Sequence, residues 1–386
     1  MPDRTGPIIV GTNALGYPEV RNFAGLPLER YAVRKRTDVH RVFTWLAHRA
    51  TGRIPDRHLN SFRDLDLSSC ALYHFFNALS YGRKPWFTTF ETRLPRWGHV
   101  PDATVRRGME LMSRPACQRL IALSERTAAI QRAYVTEKVP DLADALLPKI
   151  MVMHPPQRVV MPPGHAKPPI GQGVVFTFVG AHFFRKGGME ILQAFEALHQ
   201  RGLRDWKLNI VSAMETGDHA THSTEEDRNK AMAVISRLGD HVTLHRGLTN
   251  QGVLDLFLRS HVGLLPTWAE TYGYAVLEAQ ACGCPVVTTD IRAMPEINDD
   301  TQGWVIPVAQ DDLGFARIRT VEARKVFSKH LDDALVEVIG GILLSPGSIA
   351  PKAARALARI TAMHDPQASA RRLEALYDEA LGYRRP

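Results

Sequence analysis

No run of eighteen apolar residues occurs anywhere in this chain of 386 residues, so nothing in it is expected to span a bilayer as a helix. Cysteine is scarce. Cys70, Cys117, Cys282 and Cys284 are the whole complement, and no second paired ligand cluster accompanies Cys282 and Cys284, so they read as small packing residues and not as a zinc framework. The amino end, MPDRTGPIIVGTNALGY, lacks a charged leader followed by a long apolar core, and the expectation is a cytoplasmic protein. No internal repeat is visible, and no helix-turn-helix, zinc-finger or aromatic RNA-binding pattern is present, which argues against nucleic acid as a partner. His219 and His222 sit in a polar loop without a fixed scaffold and read as exposed side chains. No metal is expected.

What the chain does have is the composition of a globular enzyme, 45% apolar and 23% charged. Its length exceeds one core of ordinary size and suits two domains. The formal charge is +8 and the pI near 9.4. Arginine is plentiful early: Arg30, Arg34, Arg36, Arg41, Arg49, Arg53 and Arg57. Such a field draws a protein toward anionic partners, although solvated basic faces remain the plain alternative.

The most informative stretch runs from Gly263 to Ile297. Val262 to Leu265 is an apolar run stopped by Pro266, Tyr274 to Ala281 is apolar at helical spacing, Gly283 and Pro285 close that helix, and Val286 to Thr289 is β-branched. The unit is strand, loop, helix, strand. Glu270 then falls in the loop and Glu278, eight residues on, about two turns into the helix. Between them Gly273 leaves the backbone uncovered, so the amides of Gly273, Tyr274 and Ala275 suit a phosphate at the positive helix end. A diphosphate flanked by two polyols, that is a nucleotide sugar, fits the three elements. Two solvated helix-end charges would fit an isolated pair of glutamates as well.

The segment PTWAETYGYAVLEAQACGCPVVTTD resembles the signature of glycosyltransferase family 4, glycosyl transferases group 1. The resemblance implies an α/β protein of GT-B architecture, with two Rossmann-like doubly wound domains facing an interdomain cleft and a carboxyl-terminal helix crossing back to the first domain. It also implies a retaining hexosyltransferase-type glycosyltransferase. Its catalytic candidates are Glu270, expected at the donor sugar, and Lys186, with Glu278 expected at the ribose. A second segment, the strand Val174 to Gly180 followed by AHFFRKGG, is similar to the family's strand, Gly-Arg, Lys-Gly, helix element, with Lys186 in the place of the lysine that meets the donor diphosphate. The arginine of that element is absent: Ala181 stands there. Arg185, or His182 if protonated, is a candidate replacement. Gly180, Arg185, Lys186, Thr271, Tyr272, Gly273, Tyr274, Ala275 and Glu278 form the expected donor-binding set, with Arg246, Gly247 and Leu248 as a candidate wall for the base. No cofactor and no obligatory divalent ion is implied, since side chains and a helix end would neutralise the diphosphate.

A boundary is expected in the proline- and glycine-rich stretch 154–173. It leaves an acceptor-side domain over 1–160, joined by a carboxyl-terminal helix over 365–386, and a nucleotide-sugar domain over 170–364. In the first domain Ile8 to Val10, Ala71 to Phe76, Trp86 to Phe90 and Arg119 to Ser124 read as strands. Glu91 occupies the place where relatives carry a histidine and is a third catalytic candidate, either for the acceptor hydroxyl or the donor sugar. It reads equally well as a loop carboxylate paired with Arg93 or Arg96. The partners implied are a nucleotide sugar and a saccharide or lipid-linked saccharide acceptor, with peripheral association to an anionic inner-membrane face and a role in surface polysaccharide or lipopolysaccharide synthesis. Two other readings are a catalytically impaired GT-B scaffold serving a partner transferase, motivated by Ala181 and the missing histidine, and a phosphorylase on the same fold. Donor sugar, base, acceptor, linkage and oligomeric state are not legible.

Overall fold

The computed structural model of the chain describes residues 6–52, 60–63 and 68–383; Arg53 and Arg57 of the basic segment lie outside them. The chain forms two compact units, one made of residues up to Pro156 together with those from His364 onward, the other of Gln157–Met363.

The first unit is built on a six-stranded parallel sheet of β1 (Ile8–Thr12), β2 (Tyr31–Lys35), β3 (Leu72–Phe76), β4 (Trp86–Phe90), β5 (Cys117–Ala122) and β6 (Ile150–Val152). The strands lie in the order β2-β1-β3-β4-β5-β6. Every residue of β3 and of β4 is buried, as expected for parallel strands covered on both faces. Gly11 of β1 has a packing reason, because a Cβ there would meet the Tyr73 ring at 2.5 Å. Two expectations are corrected. The strand expected to run through Ser124 stops at Ala122, and Ser124 instead caps α3 (Glu125–Lys138), its hydroxyl accepting from the Thr127 amide at 3.0 Å. That strand is also not the last of the unit, since β6 pairs beyond it. The segment after β1 turns helical at Tyr17–Glu19. Ahead of α3 come α1 (Val39–Thr51) and α2 (Asp102–Ser113).

The second unit repeats the plan with β7 (Val174–Val179), β8 (Trp206–Val211), β9 (Val242–His245), β10 (Val262–Leu265), β11 (Val286–Thr289) and β12 (Trp304–Ile306). All are parallel, in the order β9-β8-β7-β10-β11-β12. This is the doubly wound order in which connections diverge from the central pair β7 and β10, and ligands of such sheets bind beyond the carboxyl ends at that point. The helices are α4 (Gly188–Gln200), α5 (Glu225–Leu238), α6 (Asn250–Leu258), α7 (Tyr274–Ala281), α8 (Val321–Leu344) and α9 (Ile349–Met363). Gly263 lets α7 approach β10, since a Cβ there would sit 3.0 Å from the Ala279 Cβ.

The last helix, α10 (Pro366–Leu381), belongs to the first unit. Asp365 caps it by accepting from the amides of Gln367 and Ala368, both at 3.1 Å. One face then ties down the start of β2. Glu374 Oε1 accepts from the amides of Glu29 at 2.7 Å and Arg30 at 2.8 Å, and Asp378 accepts from the Tyr31 hydroxyl at 2.6 Å and pairs with Arg30 at 2.8 Å. Tyr377 OH lies 2.6 Å from His74 Nδ1, whose Nε2 lies 2.9 Å from Thr89 Oγ1. His74 is therefore a satisfied core residue, stacked on Phe23 with ring centroids 4.0 Å apart.

Burial pushes the His74 imidazole down to about 3. The sign follows: at acid pH the unfolded chain takes up a proton that the folded ring refuses, so the stabilisation is complete above the ordinary value of 6.5 and is lost as pH falls toward 3. Urea unfolding of the wild type is expected to lose about 1.4 kcal/mol per pH unit below that value from this group alone. His74→Gln should remove that part of the slope. Equal slopes in the two proteins would show that His74 is not held neutral.

Candidate functional site

The site begins where β7 ends. The loop from Gly180 to Gly187 is shaped by close approaches that admit no side chain. A Cβ at Gly180 would lie 2.9 Å from Lys186 Cγ, one at Gly188 would lie 2.3 Å from the Phe183 ring, and one at Gly187, where φ is +82°, would lie 2.1 Å from the Pro266 carbonyl oxygen. Gly187 thus presses the β7 loop against the end of β10. The loop after β10 is bonded back to it, with the Trp268 amide donating to the Arg185 carbonyl at 2.9 Å and Thr267 Oγ1 lying 3.2 Å from the same oxygen.

That double attachment places Lys186 in an ion pair with Glu270. Both side chains are largely covered, at 12% and 17% exposure. Glu270 Oε1 also accepts from the Thr271 amide at 2.9 Å. Burial acts to raise the Glu270 carboxyl, but the Lys186 ammonium, helped by the Thr271 amide and Arg185, outweighs it and holds the group below the usual carboxylate range. Lys186 has three N–H donors, so it can hold Glu270 and still donate elsewhere.

Gly273 starts α7 in a left-handed conformation, φ +102°, and a Cβ there would meet Met294 Cε at 2.3 Å. No side chain caps this helix end; Gly273 is buried, Tyr274 and Ala275 are half-buried, and the Tyr274 ring lies against the buried Tyr272 with centroids 5.7 Å apart. Glu278 is the fifth residue of α7, a little over one turn in and not two as its position in the sequence implies. It is 9% exposed and accepts from Asn250 Nδ2 at 3.1 Å. Asn250 opens α6 just after Arg246, Gly247 and Leu248, which are exposed in the loop following β9, Gly247 at φ +68°. Asn250, a residue the sequence reading missed, thus ties Glu278 to the start of the helix that follows the candidate base wall.

The loop after β8 lies against the β7 loop. Ser212 Oγ and the Glu215 amide both approach the Ala181 carbonyl, at 3.2 and 3.4 Å, and His182 Nδ1 lies 2.9 Å from Glu215 Oε2. His219 in this loop is pushed below its ordinary value by burial and then by the charges of Arg185, His182 and Lys186, so four basic side chains share one neighbourhood. Arg185 Nε is buried and meets no acceptor among the described residues, which fits an anion more closely than it fits an exposed helix-leading charge. His182 is half exposed and already engaged by Glu215.

Glu91 lies in the other unit, after β4. Its Oε1 pairs with Arg96 and lies 3.4 Å from Asn77 Nδ2. The cysteines are buried; the Cys282 thiol is pushed up to about 12 by its burial, and Cys284 Sγ lies 3.1 Å from the Phe257 carbonyl. Among the described residues no group of three or more His, Cys, Asp or Glu side chains is arranged to hold a metal.

Residues 165–334 match the family Glycosyl transferases group 1. Similar proteins include the D-inositol 3-phosphate glycosyltransferase of Saccharomonospora viridis, 33% identical over 141 residues that make up 35% of this chain and 31% of that protein. The enzyme of the same name from Acidothermus cellulolyticus is 26% identical over 147 residues, 37% of this chain and 32% of that protein. The chain thus matches about a third of the length of these relatives. Among solved structures, Anabaena HepE in complex with UDP and glucose superposes with a TM-score of 0.60 at 11% identity, covering 97% of this chain and 100% of that one. Sucrose-phosphate synthase from Thermosynechococcus elongatus gives 0.55 at 15% identity, over 92% and 82%. These likenesses give the fold as GT-B. Residues 165–334, within the second of two Rossmann-like units, are thus similar to the group 1 glycosyltransferases.

Proposed function

We propose that the protein is a retaining, hexosyltransferase-type glycosyltransferase of family 4, moving a sugar from a nucleotide-diphosphate donor to a hydroxyl acceptor in surface polysaccharide or lipopolysaccharide synthesis. The observation that carries this reading is the Lys186–Glu270 pair at the junction of β7 and β10, set beside the uncapped start of α7.

In the proposed arrangement the donor diphosphate sits between the α7 amides, Lys186 and Arg185, and its sugar faces Glu270. Glu278, steadied by Asn250, takes the ribose hydroxyls, and Arg246 to Leu248 flank the base. Bond cleavage concentrates charge on the departing diphosphate. Lys186, Arg185 and the helix amides stabilise that charge where it develops, which lowers the barrier more than it tightens ground-state binding. The acceptor attacks from the leaving-group face, and the departing phosphate oxygen takes its proton, so no enzyme nucleophile is needed. Arg185, with its buried Nε, is our choice over His182 to replace the arginine absent at Ala181. Glu91, anchored by Arg96, remains the acceptor-side candidate. The acceptor is proposed as a saccharide or lipid-linked saccharide met at an anionic inner-membrane face. The inositol phosphate in the relatives' name is not carried over, because the match covers about a third of those proteins. No cofactor or divalent ion is required by this scheme.

Ala181 keeps one competing reading in view, a GT-B scaffold without transfer activity of its own. Purified protein that forms product alone, with product lost in Glu270→Ala, separates the two. If the scheme holds, Lys186→Ala lowers kcat by about 10²- to 10³-fold. Lys186→Gln, which keeps the stem over Gly180 and a donor toward Glu270, is expected to fall nearly as far if charge is what matters, while thermal melting shows a folded protein. Near-normal turnover in either variant rejects the assigned role.

The donor site is tested separately by calorimetry with UDP, GDP and ADP. One base is expected to bind, and Glu278→Ala to weaken it by about tenfold through loss of charge-assisted hydrogen bonds. Undiminished binding in the variant would remove Glu278 from the site, and no binding of any nucleotide by the wild type would favour the inactive scaffold.

A further inference from the structure

Helix α1 carries its apolar side chains outward. Val39, Val42, Phe43 and Leu46 fall at helical spacing i, i+3, i+4 and i+7, which in a buried helix would face a core. Here Val42, Phe43, Trp45 and Leu46 are 56%, 58%, 56% and 48% exposed. The helix is anchored at its start, where the Val39 amide donates to the Arg63 carbonyl at 2.8 Å and the Arg63 amide to Asp38 Oδ1 at 3.1 Å. More apolar surface emerges at the same end of the sheet. β1 and β2 are parallel neighbours joined at their carboxyl ends by the Arg36 amide on the Thr12 carbonyl at 2.7 Å, and the segment leaving β1 exposes Leu15, Tyr17 and Val20.

The sequence on either side of this helix is lopsided in charge. From Arg30 to Arg63 the sequence holds nine lysines and arginines against two aspartates, a net of +7 where the whole chain carries +8. Arg34 and Lys35 are exposed at the end of β2. A groove between strand end and helix is lined by Lys35, Arg36, Thr37, Asp38, Val42 and Trp45, and the Arg49 guanidinium lies 5.3 Å from the Trp45 ring centroid.

An exposed apolar arc bordered by cations is the pattern of an element that lies in a lipid interface, with aromatic and aliphatic side chains at the acyl boundary and basic ones at the phosphates. A second copy of the chain would bring two such basic segments face to face in a two-fold contact, and like charge opposes that. We propose that α1, with the basic end of β2, is the surface by which the protein docks on an anionic membrane. This names the element and the lipid class for the membrane association given under the proposed function, and rests on that reading; a readout independent of transfer keeps the two separable.

The test uses the full chain and co-sedimentation with vesicles of phosphatidylcholine, alone or with about one third phosphatidylglycerol. Wild type is expected to partition onto the anionic vesicles at least about tenfold more strongly than onto the neutral ones, and less so as salt rises. Phe43→Ser with Leu46→Ser should lower that partition about tenfold, and Arg34→Gln with Lys35→Gln about as far, with UDP, GDP and ADP calorimetry unchanged because the nucleotide candidates lie in the other unit. A blue shift of tryptophan emission on binding should diminish in Trp45→Phe. Equal partition onto neutral and anionic vesicles, no loss in the variants, or variants that only dissociate a dimer in sedimentation velocity would each overturn the proposal. Loss of nucleotide binding with vesicle binding intact would count against the donor site alone.

Discussion

The second unit depends on one close approach, that of Gly187 to the carbonyl of Pro266. Two parallel strands that are neighbours in the sheet, β7 and β10, send their loops out on the same side, and a side chain at position 187 would force those loops apart. With the loops in contact, the Trp268 amide and the Thr267 hydroxyl satisfy the Arg185 carbonyl. Lys186, the next residue, then has only a short path to Glu270. An ammonium and a carboxylate this covered are costly to bury singly and tolerable as a pair, so the backbone fit at glycine determines that the charges meet. Gly273 acts in the same way at the start of α7, where contact with Met294 leaves no room for a side chain and no side chain caps the helix.

The first unit solves a different problem. Its sheet buries a histidine in β3, and a buried imidazole without partners would cost several kilocalories. Helix α10, although last in the sequence, supplies Tyr377 to one ring nitrogen while Thr89 supplies a hydroxyl to the other. The same helix turns Glu374 and Asp378 toward the start of β2, where backbone amides and Tyr31 need acceptors. Burial and the bond to Asp378 push the Tyr31 hydroxyl well above its ordinary value, so the contact stays a neutral donor on a carboxylate. The polar groups of this unit hold its two chain segments together.

Much of the fold is legible in order. Val262–Leu265 follows from an apolar run stopped by Pro266, Tyr274–Ala281 from apolar residues at helical spacing closed by Gly283, and Trp86–Phe90 from an aromatic and β-branched run after Pro85. Less legible are β2 and β6: β2 is an edge strand ending in Arg34 and Lys35, and an edge tolerates the charges that disguise it. Ser124 reads as a strand end because its hydroxyl role as a helix cap depends on Thr127 folding back to it. In the candidate site, Lys186, Glu270 and Glu278 are visible because they lie within long motifs, whereas Asn250 and His219 come from loops with no motif.

By itself the sequence determined the elements and the chemistry: alternating strands and helices, glycines where backbones must touch, and carboxylates flanking a helix start, because periodicity and side-chain type are local properties. Only the tertiary structure decided which loops touch. Proximity between Lys186 and Glu270, or Asn250 and Glu278, is set by strand order in the sheet. The exposure of Val42, Phe43, Trp45 and Leu46 was likewise decided there, since an apolar helical face looks the same in sequence whether a core covers it or solvent does.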